Sequence, residues 1–232
     1  VKVALIVGAS GGIGAATARA LAHPDRCLVL TGRNEQALAQ LAAEIQARGA
    51  PAILAPGDIT REEEVARIVA TAAAIGGQID ALINTAGSAF VRPFAEITLA
   101  DWNAQLAGVL TGVFLTCRHA LPWLPAGGII VNVVSVAARQ AFPGWAAYSA
   151  AKAGVLQLTN VLREELRPRG VRVTAVLPAA IDTPLWEGVP GRWNRQRMLA
   201  PEVVGATIAT LVAGPAEAVV EEIQLGHIAG RL

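Results

Sequence analysis

Short apolar runs closed by small residues alternate along this chain with longer segments of helical period. Residues 3–7 form the first run and end at Gly8. A continuous apolar run of this length predicts a strand buried on both faces of a parallel sheet. Glycine-rich residues 8–14 follow, and a helix is expected over about 13–21. The same rhythm predicts strands over 27–31, 52–55, 81–84, 129–134, 171–177 and 219–225. Helices are expected over 35–48, with Leu38, Leu41 and Ile45 on one side, and from about residue 62. A long apolar helix is predicted over 98–121 through Trp102, Leu106, Leu110, Phe114 and Leu121, opening on a capping-type Thr98. Two more are expected: one carrying Tyr148 to about residue 166, and one over 201–213 with Pro201 at its start. Strands and helices alternating in this way predict an α/β fold with one doubly wound parallel sheet. No linker, repeat or second domain is visible, so residues 1–232 read as a single domain.

Composition narrows the class. Hydrophobic residues make up 53% of the chain and charged residues 16%, ample for a large buried core. A net charge of +1 argues against a nucleic-acid partner. No apolar run reaches the roughly 18 residues that would span a membrane. Residues 1–7 read as a strand rather than a leader. Cys27 and Cys117 lack metal spacing and read as small core residues in a reducing, cytoplasmic compartment. His23, His119 and His227 are scattered, and no metal site is expected.

The candidate chemistry falls at the carboxyl ends of the predicted strands, the edge that carries ligands in such sheets. Gly8, Gly12 and Gly14 stand between a strand and a helix, where glycine lets the backbone approach a pyrophosphate and a helix N-terminus favours its charge. A tight turn without a ligand is the alternative. No carboxylate occupies positions 30–33; Arg33 stands there, suited to a ribose 2′-phosphate or else simply solvated. Asp58 would bond an adenine amino group or cap the helix beginning near Glu62. Tyr148 is the sole tyrosine and Lys152 one of two lysines. Four residues apart on a helix, they share a face, where an ammonium would favour a phenolate. Ser135 ends a strand thirteen residues earlier.

Together these motifs resemble the short-chain dehydrogenase/reductase family over almost the whole length. Gly8, Gly12 and Gly14 match its glycine motif, residues 84–87 its Asn-Asn-Ala-Gly segment, and Ser135, Tyr148 and Lys152 its catalytic Ser and Tyr-x-x-x-Lys. Pro178 and Thr183 resemble its segment beside the nicotinamide. The resemblance implies a Rossmann-type, seven-stranded, mostly parallel sheet of order 3-2-1-4-5-6-7 with helices on both faces. It implies hydride transfer between a nicotinamide and a carbonyl or alcohol, with Tyr148 as acid/base, Ser135 binding the reacting oxygen, and Lys152 lowering the phenol pKa and bonding the nicotinamide ribose. Cofactor contacts are implied at Gly8, Ser10, Gly11, Gly12, Ile13, Gly14, Arg33, Asp58, Ile59, Asn84, Ala86, Gly87, Tyr148, Lys152, Pro178, Ile181 and Thr183. Arg33 favours NADP(H), with NAD(H) the lesser alternative. A small-molecule substrate and a homodimer or homotetramer are expected.

Residues 179–200 read as a substrate lid, with Trp145, Trp186 and Trp193 as pocket candidates or core packing. Arg192, Arg195 and Arg197 would attract an anionic group or form a solvated loop. Three departures from the family pattern stand out. Val7 replaces a threonine before the first glycine, Ala179 replaces a glycine, and Val109 stands where an asparagine helps seat a water beside the lysine. The competing readings are a nucleotide-binding regulator with weakened turnover, favoured by Val109 alone, and an epimerase or dehydratase, disfavoured by the short substrate region.

Overall fold

The computed structural model describes residues 1–230. Its seven strands are β1 (Lys2–Val7), β2 (Arg26–Thr31), β3 (Ala52–Leu54), β4 (Ala81–Asn84), β5 (Ile129–Val133), β6 (Arg172–Pro178) and β7 (Glu222–Leu225). They form one sheet in the order β3-β2-β1-β4-β5-β6-β7, and every pairing is parallel. This is the order expected from the resemblance. The central strands are buried along their length because helices cover both faces.

One face carries α1 (Gly12–Leu21), α2 (Glu35–Ala47) and α7 (Pro201–Ala213), whose apolar residues join Ala4, Ile6, Leu28 and Val131 in one core. Helix α7 lies close on α1 through Gly205, where a Cβ would come within 2.7 Å of the Ala16 backbone. The other face carries α3 (Glu62–Gly76), α4 (Leu99–Leu106), α5 (Gly112–Ala120) and α6 (Ala146–Leu166) over a second core around Leu5, Leu82, Ile130 and Val173. Residues 179–200 form a loop with short 3₁₀ turns at Pro184–Gly188 and Arg195–Arg197.

The single helix expected over 98–121 is two helices. Thr98 caps α4 through a reciprocal bond with Asp101. A π-helical turn, Ala107–Thr111, then inserts an extra residue before α5. The insertion rotates the faces. Gln105, Val109, Val113 and Cys117 point into the core, and Phe114 of the expected apolar stripe is 43% exposed. The last strand is shorter than expected, since residues 219–221 lie outside β7.

Candidate active site

Register brings the strand ends level: Val7 stands opposite Thr31 and Asn84, and Asn84 opposite Asn132. The glycine turn sits on this edge. Gly8 has φ +88°, a left-handed value, and a Cβ there would lie 2.6 Å from the Ala86 nitrogen. A Cβ on Gly14 would strike the Gly8 backbone, and one on Gly12 would lie 2.6 Å from the Thr183 methyl. Gly11, the N-cap of α1, has no side chain to accept from the first-turn amides, unlike Asn34, whose Oδ1 accepts from Ala37 at the start of α2. The result is a cradle of free backbone N–H groups that side chains would fill, and it fits a pyrophosphate. Ile13 is half-buried beside this turn.

At the end of β2, the Ser10 hydroxyl lies 2.6 Å from where a Gly32 Cβ would be. The exposed Arg33 follows, with no hydrogen bond or ion pair among the described residues. Asp58 is not the cap of α3; that position is Arg61. Its Oδ1 accepts from the Thr60 amide and hydroxyl, each at 2.9 Å. The Thr60 bonds and, more weakly, the Arg33 charge hold its carboxyl below the usual range. Ile59 is buried against Gly112 of α5, so its side chain faces the core.

Asn84 turns its side chain into the core. Its amide donates to Asn132 Oδ1 at 2.8 Å, and its Oδ1 accepts from the Thr116 hydroxyl at 2.8 Å. Asn132 in turn donates to Thr159 at 2.9 Å. The side chain is 1% exposed and committed to this core network, so only its backbone is left for the crevice. The next residue answers the loss of a hydroxyl at Val7. Thr85 donates both its amide, at 2.9 Å, and its hydroxyl, at 2.8 Å, to the Val7 carbonyl. The hydroxyl that pins the Gly8 turn comes from the residue after β4 rather than from β1.

Ser135 follows β5, and its Oγ accepts from the Ala137 amide at 3.1 Å. Tyr148 and Lys152 sit one turn apart in α6, both buried, with the Lys152 nitrogen 5.8 Å from the Tyr148 ring centroid. Lys152 Nζ donates to the Val133 carbonyl at 2.8 Å, a partner that carries no side-chain signal in sequence. Burial pushes the Tyr148 phenol up to about 12, opposed by the Ser135 hydroxyl. Burial also brings Lys152 down to about 8. Lys152 was expected to lower the phenol; burial and the Ser135 hydroxyl are the influences that act on it here. A Cβ on Gly87 would lie 3.6 Å from Lys152 Nζ and 3.8 Å from Val109 Cγ2. The fully buried Val109 therefore brings only hydrocarbon to the neighbourhood that Gly87 shares with the lysine.

Pro178 ends β6 and is buried, and Ile181 bridges to Leu199 at the base of the lid. Trp145 meets the Tyr148 ring edge-on at 5.3 Å, Trp186 lies 5.9 Å from Trp145, and Trp193 lies 4.9 Å from Trp186. The three arginines do not converge as an anion site. Arg195 pairs with Asp182 at 2.6 Å and donates to the Thr183 carbonyl at 3.1 Å. Arg197 donates to the Ala229 carbonyl at 2.8 Å. Gln105 was missed from sequence. Buried on α4, it holds the loop after β4 by accepting from Phe90 N at 2.9 Å and donating to the Ser88 carbonyl at 2.8 Å. A glutamine among the apolar residues of α4 was the signal.

Among the described residues no helix is long and apolar enough to cross a membrane, and no group of three or more His, Cys, Asp or Glu could hold a metal.

The short chain dehydrogenase family model matches residues 2–191. A 3-oxoacyl-[acyl-carrier-protein] reductase from a Synechocystis strain is 38% identical, over 94% of this chain and 91% of its own. A cis-4-hydroxycyclohexanecarboxylate dehydrogenase from Sinomonas cyclohexanicum is 37% identical, over 96% and 93%. Among solved structures, an alcohol dehydrogenase from the archaeon Thermococcus sibiricus, complexed with 5-hydroxy-NADP, superposes with a TM-score of 0.92 at 27% identity, over 100% of this chain and 98% of that one. With the glycine cradle and the Ser135, Tyr148 and Lys152 cluster on one sheet edge, the chain belongs to the short-chain dehydrogenase/reductase family of NAD(P)-dependent oxidoreductases.

Proposed function

We propose that the protein is a cytoplasmic, NADP(H)-preferring reductase of a small carbonyl compound, working through Ser135, Tyr148 and Lys152. The observation that carries this reading is the Tyr148 phenol, buried beside Ser135 and one turn from Lys152, on the strand edge that bears the glycine cradle. When bound, the dihydronicotinamide supplies a hydride to the carbonyl carbon. Ser135 hydrogen-bonds the carbonyl oxygen. Tyr148 gives that oxygen its phenolic proton, so the ketone becomes an alcohol and the phenolate regains a proton from solvent. A phenol held at about 12 stays protonated at neutral pH and is ready to donate. Lys152 orients the ribose and offsets the phenolate. Ser10, Arg33 and the absence of a carboxylate at the end of β2 support the 2′-phosphate preference.

Steady-state turnover with NADPH and NADH over a panel of ketones and aldehydes tests the reading. NADPH is expected to show a KM at least about tenfold lower; tighter NADH binding would refute the role of Arg33. Tyr148→Phe should lose about 10²-fold or more in kcat while still binding NADPH; an active variant would sink the mechanism. Val109 favours a second reading, a nucleotide-binding sensor, which NADPH binding without turnover on any carbonyl would support. A second copy of the chain is the proposed partner. Phe114 on α5 and Val161 on α6, 43% and 45% exposed, support a homodimer or homotetramer.

A further inference from the structure

We infer that the substrate is a ketone whose carbonyl lies in or next to an apolar ring, held against a preformed wall of tryptophan rings. The inference rests on the reductase reading and specifies its substrate. The wall starts at the proposed proton donor: Trp145 meets the Tyr148 ring at 5.3 Å and 73°. It continues into the lid through Trp186 and Trp193, at 5.9 and 4.9 Å between successive centroids. Phe142 adds a ring 6.5 Å from Trp145 on the other side. Aromatic surfaces set edge-on and tilted to one another favour another ring in the line over a flexible chain, because a ring offers a face or edge without losing rotamer freedom.

The lid that carries two of these rings is built rather than loose. Its ends are stapled by Asp182 N to Leu199 O at 2.8 Å and Leu199 N to Ala180 O at 3.0 Å. Val189 and Met198, each 5% exposed, pack inside it. Trp186 Nε1 donates to the Ile181 carbonyl at 2.8 Å and Trp193 Nε1 to the Val189 carbonyl at 3.4 Å. With both N–H groups taken up by the lid, these two indoles offer the pocket hydrocarbon and ring faces. Arg195 is engaged by Asp182, and Arg92, whose amide bonds Gly144 beside the Trp145 turn, by Asp101 at 3.3 Å. Arg192, exposed beside Trp193, has no hydrogen bond or ion pair among the described residues, so the wall selects a ring rather than a charge state.

The experiment compares NADPH-dependent reduction of cyclohexanone and acetophenone with that of 2-hexanone. The two ring ketones are expected to exceed the open-chain ketone in kcat/KM by about tenfold or more. Trp186→Ala should raise KM for the ring ketones about tenfold and for the open-chain ketone far less, leaving NADPH affinity unchanged; Trp186→Phe should restore most of the loss. Equal use of ring and chain, or equal loss on both substrate types in Trp186→Ala, would overturn the inference and leave the reductase reading standing. Absence of NADPH oxidation with every carbonyl would instead remove the reductase reading itself.

Discussion

Replacing Lys152 with methionine should make the nucleotide-free protein more stable while removing its activity. Lys152 is 4% exposed, and burial depresses its pKa from 10.5 to about 8. That depression corresponds to about 3 kcal/mol against the charged state in the fold. The sign follows from proton counting. Below about pH 8 both folded and unfolded states hold the proton, and the full penalty is present. As pH rises from about 8 to about 10.5 the folded state sheds its proton first. The unfolded chain then binds more protons, so wild-type stability rises. Methionine carries no charge and fills a similar length, but it forfeits the charge-assisted 2.8 Å bond to the Val133 carbonyl, a loss of about 2 kcal/mol. The net gain at neutral pH is about 1 kcal/mol, or about 2–4 °C in Tm for a chain of this size. Thermal unfolding followed by far-UV circular dichroism, without nucleotide, from about pH 6.5 to about pH 10, reads both the gap and its pH dependence. The gap should close as pH climbs past about 8. A Lys152→Met protein that melts at or below wild type at neutral pH, or a gap indifferent to pH, would refute the argument that desolvation governs this lysine.

Val109→Asn places an amide in fully buried hydrocarbon next to Gly87. It should cost about 3 kcal/mol through lost apolar burial and a poorly satisfied polar group, seen as a drop of about 6–12 °C in Tm. It should also raise turnover on a good substrate; unchanged turnover would show that Val109 does not limit proton relay. Thr85→Val removes the hydroxyl that holds the Val7 carbonyl and should cost about 1 kcal/mol and weaken NADPH binding in a fluorescence titration. Neither cysteine should react with a thiol reagent in the native protein. Burial pushes Cys117 up to about 12 and also raises Cys27, so labelling should appear only on denaturation.

Much of the fold is legible because parallel strands covered on both faces leave continuous apolar runs, and the central strands are of that kind. The helix over 98–121 shows where periodicity misleads. Trp102, Leu106, Leu110 and Phe114 step by four, slightly more than a helical turn, and that regular stripe looked like a buried face. The π turn at Ala107–Thr111 absorbs the drift and turns Val109 and Val113 inward instead. Ile59 is bound up with this choice, since its side chain fills the space where a Gly112 Cβ would stand. In the candidate site, identities and spacing marked Ser135, Tyr148 and Lys152. Spacing gave no hint that Asn84 would turn from the crevice to Asn132, because a polar residue at a strand end has either face open to it. Trp186 and Trp193 reach Trp145 only through the fold of the lid, some forty residues away in sequence.

Tyr148 and Lys152 are displaced in opposite directions by the same cause. Burial disfavours phenolate and ammonium alike, raising one group and lowering the other. The sequence suggested a different balance, in which a nearby cation makes the phenol acidic. With 5.8 Å between Lys152 Nζ and the ring centroid, and Lys152 Nζ donating to the Val133 carbonyl, burial and the Ser135 hydroxyl are what act on the phenol. In the proposed reduction, a phenol at about 12 is almost wholly protonated at neutral pH, so the proton needed to turn a ketone's oxygen into a hydroxyl is already in place. The phenolate left behind must regain its proton past Val109, which offers no polar group, and oxidation would send a proton out by the same route, so the valine bears on the rate of proton exchange in both directions alike.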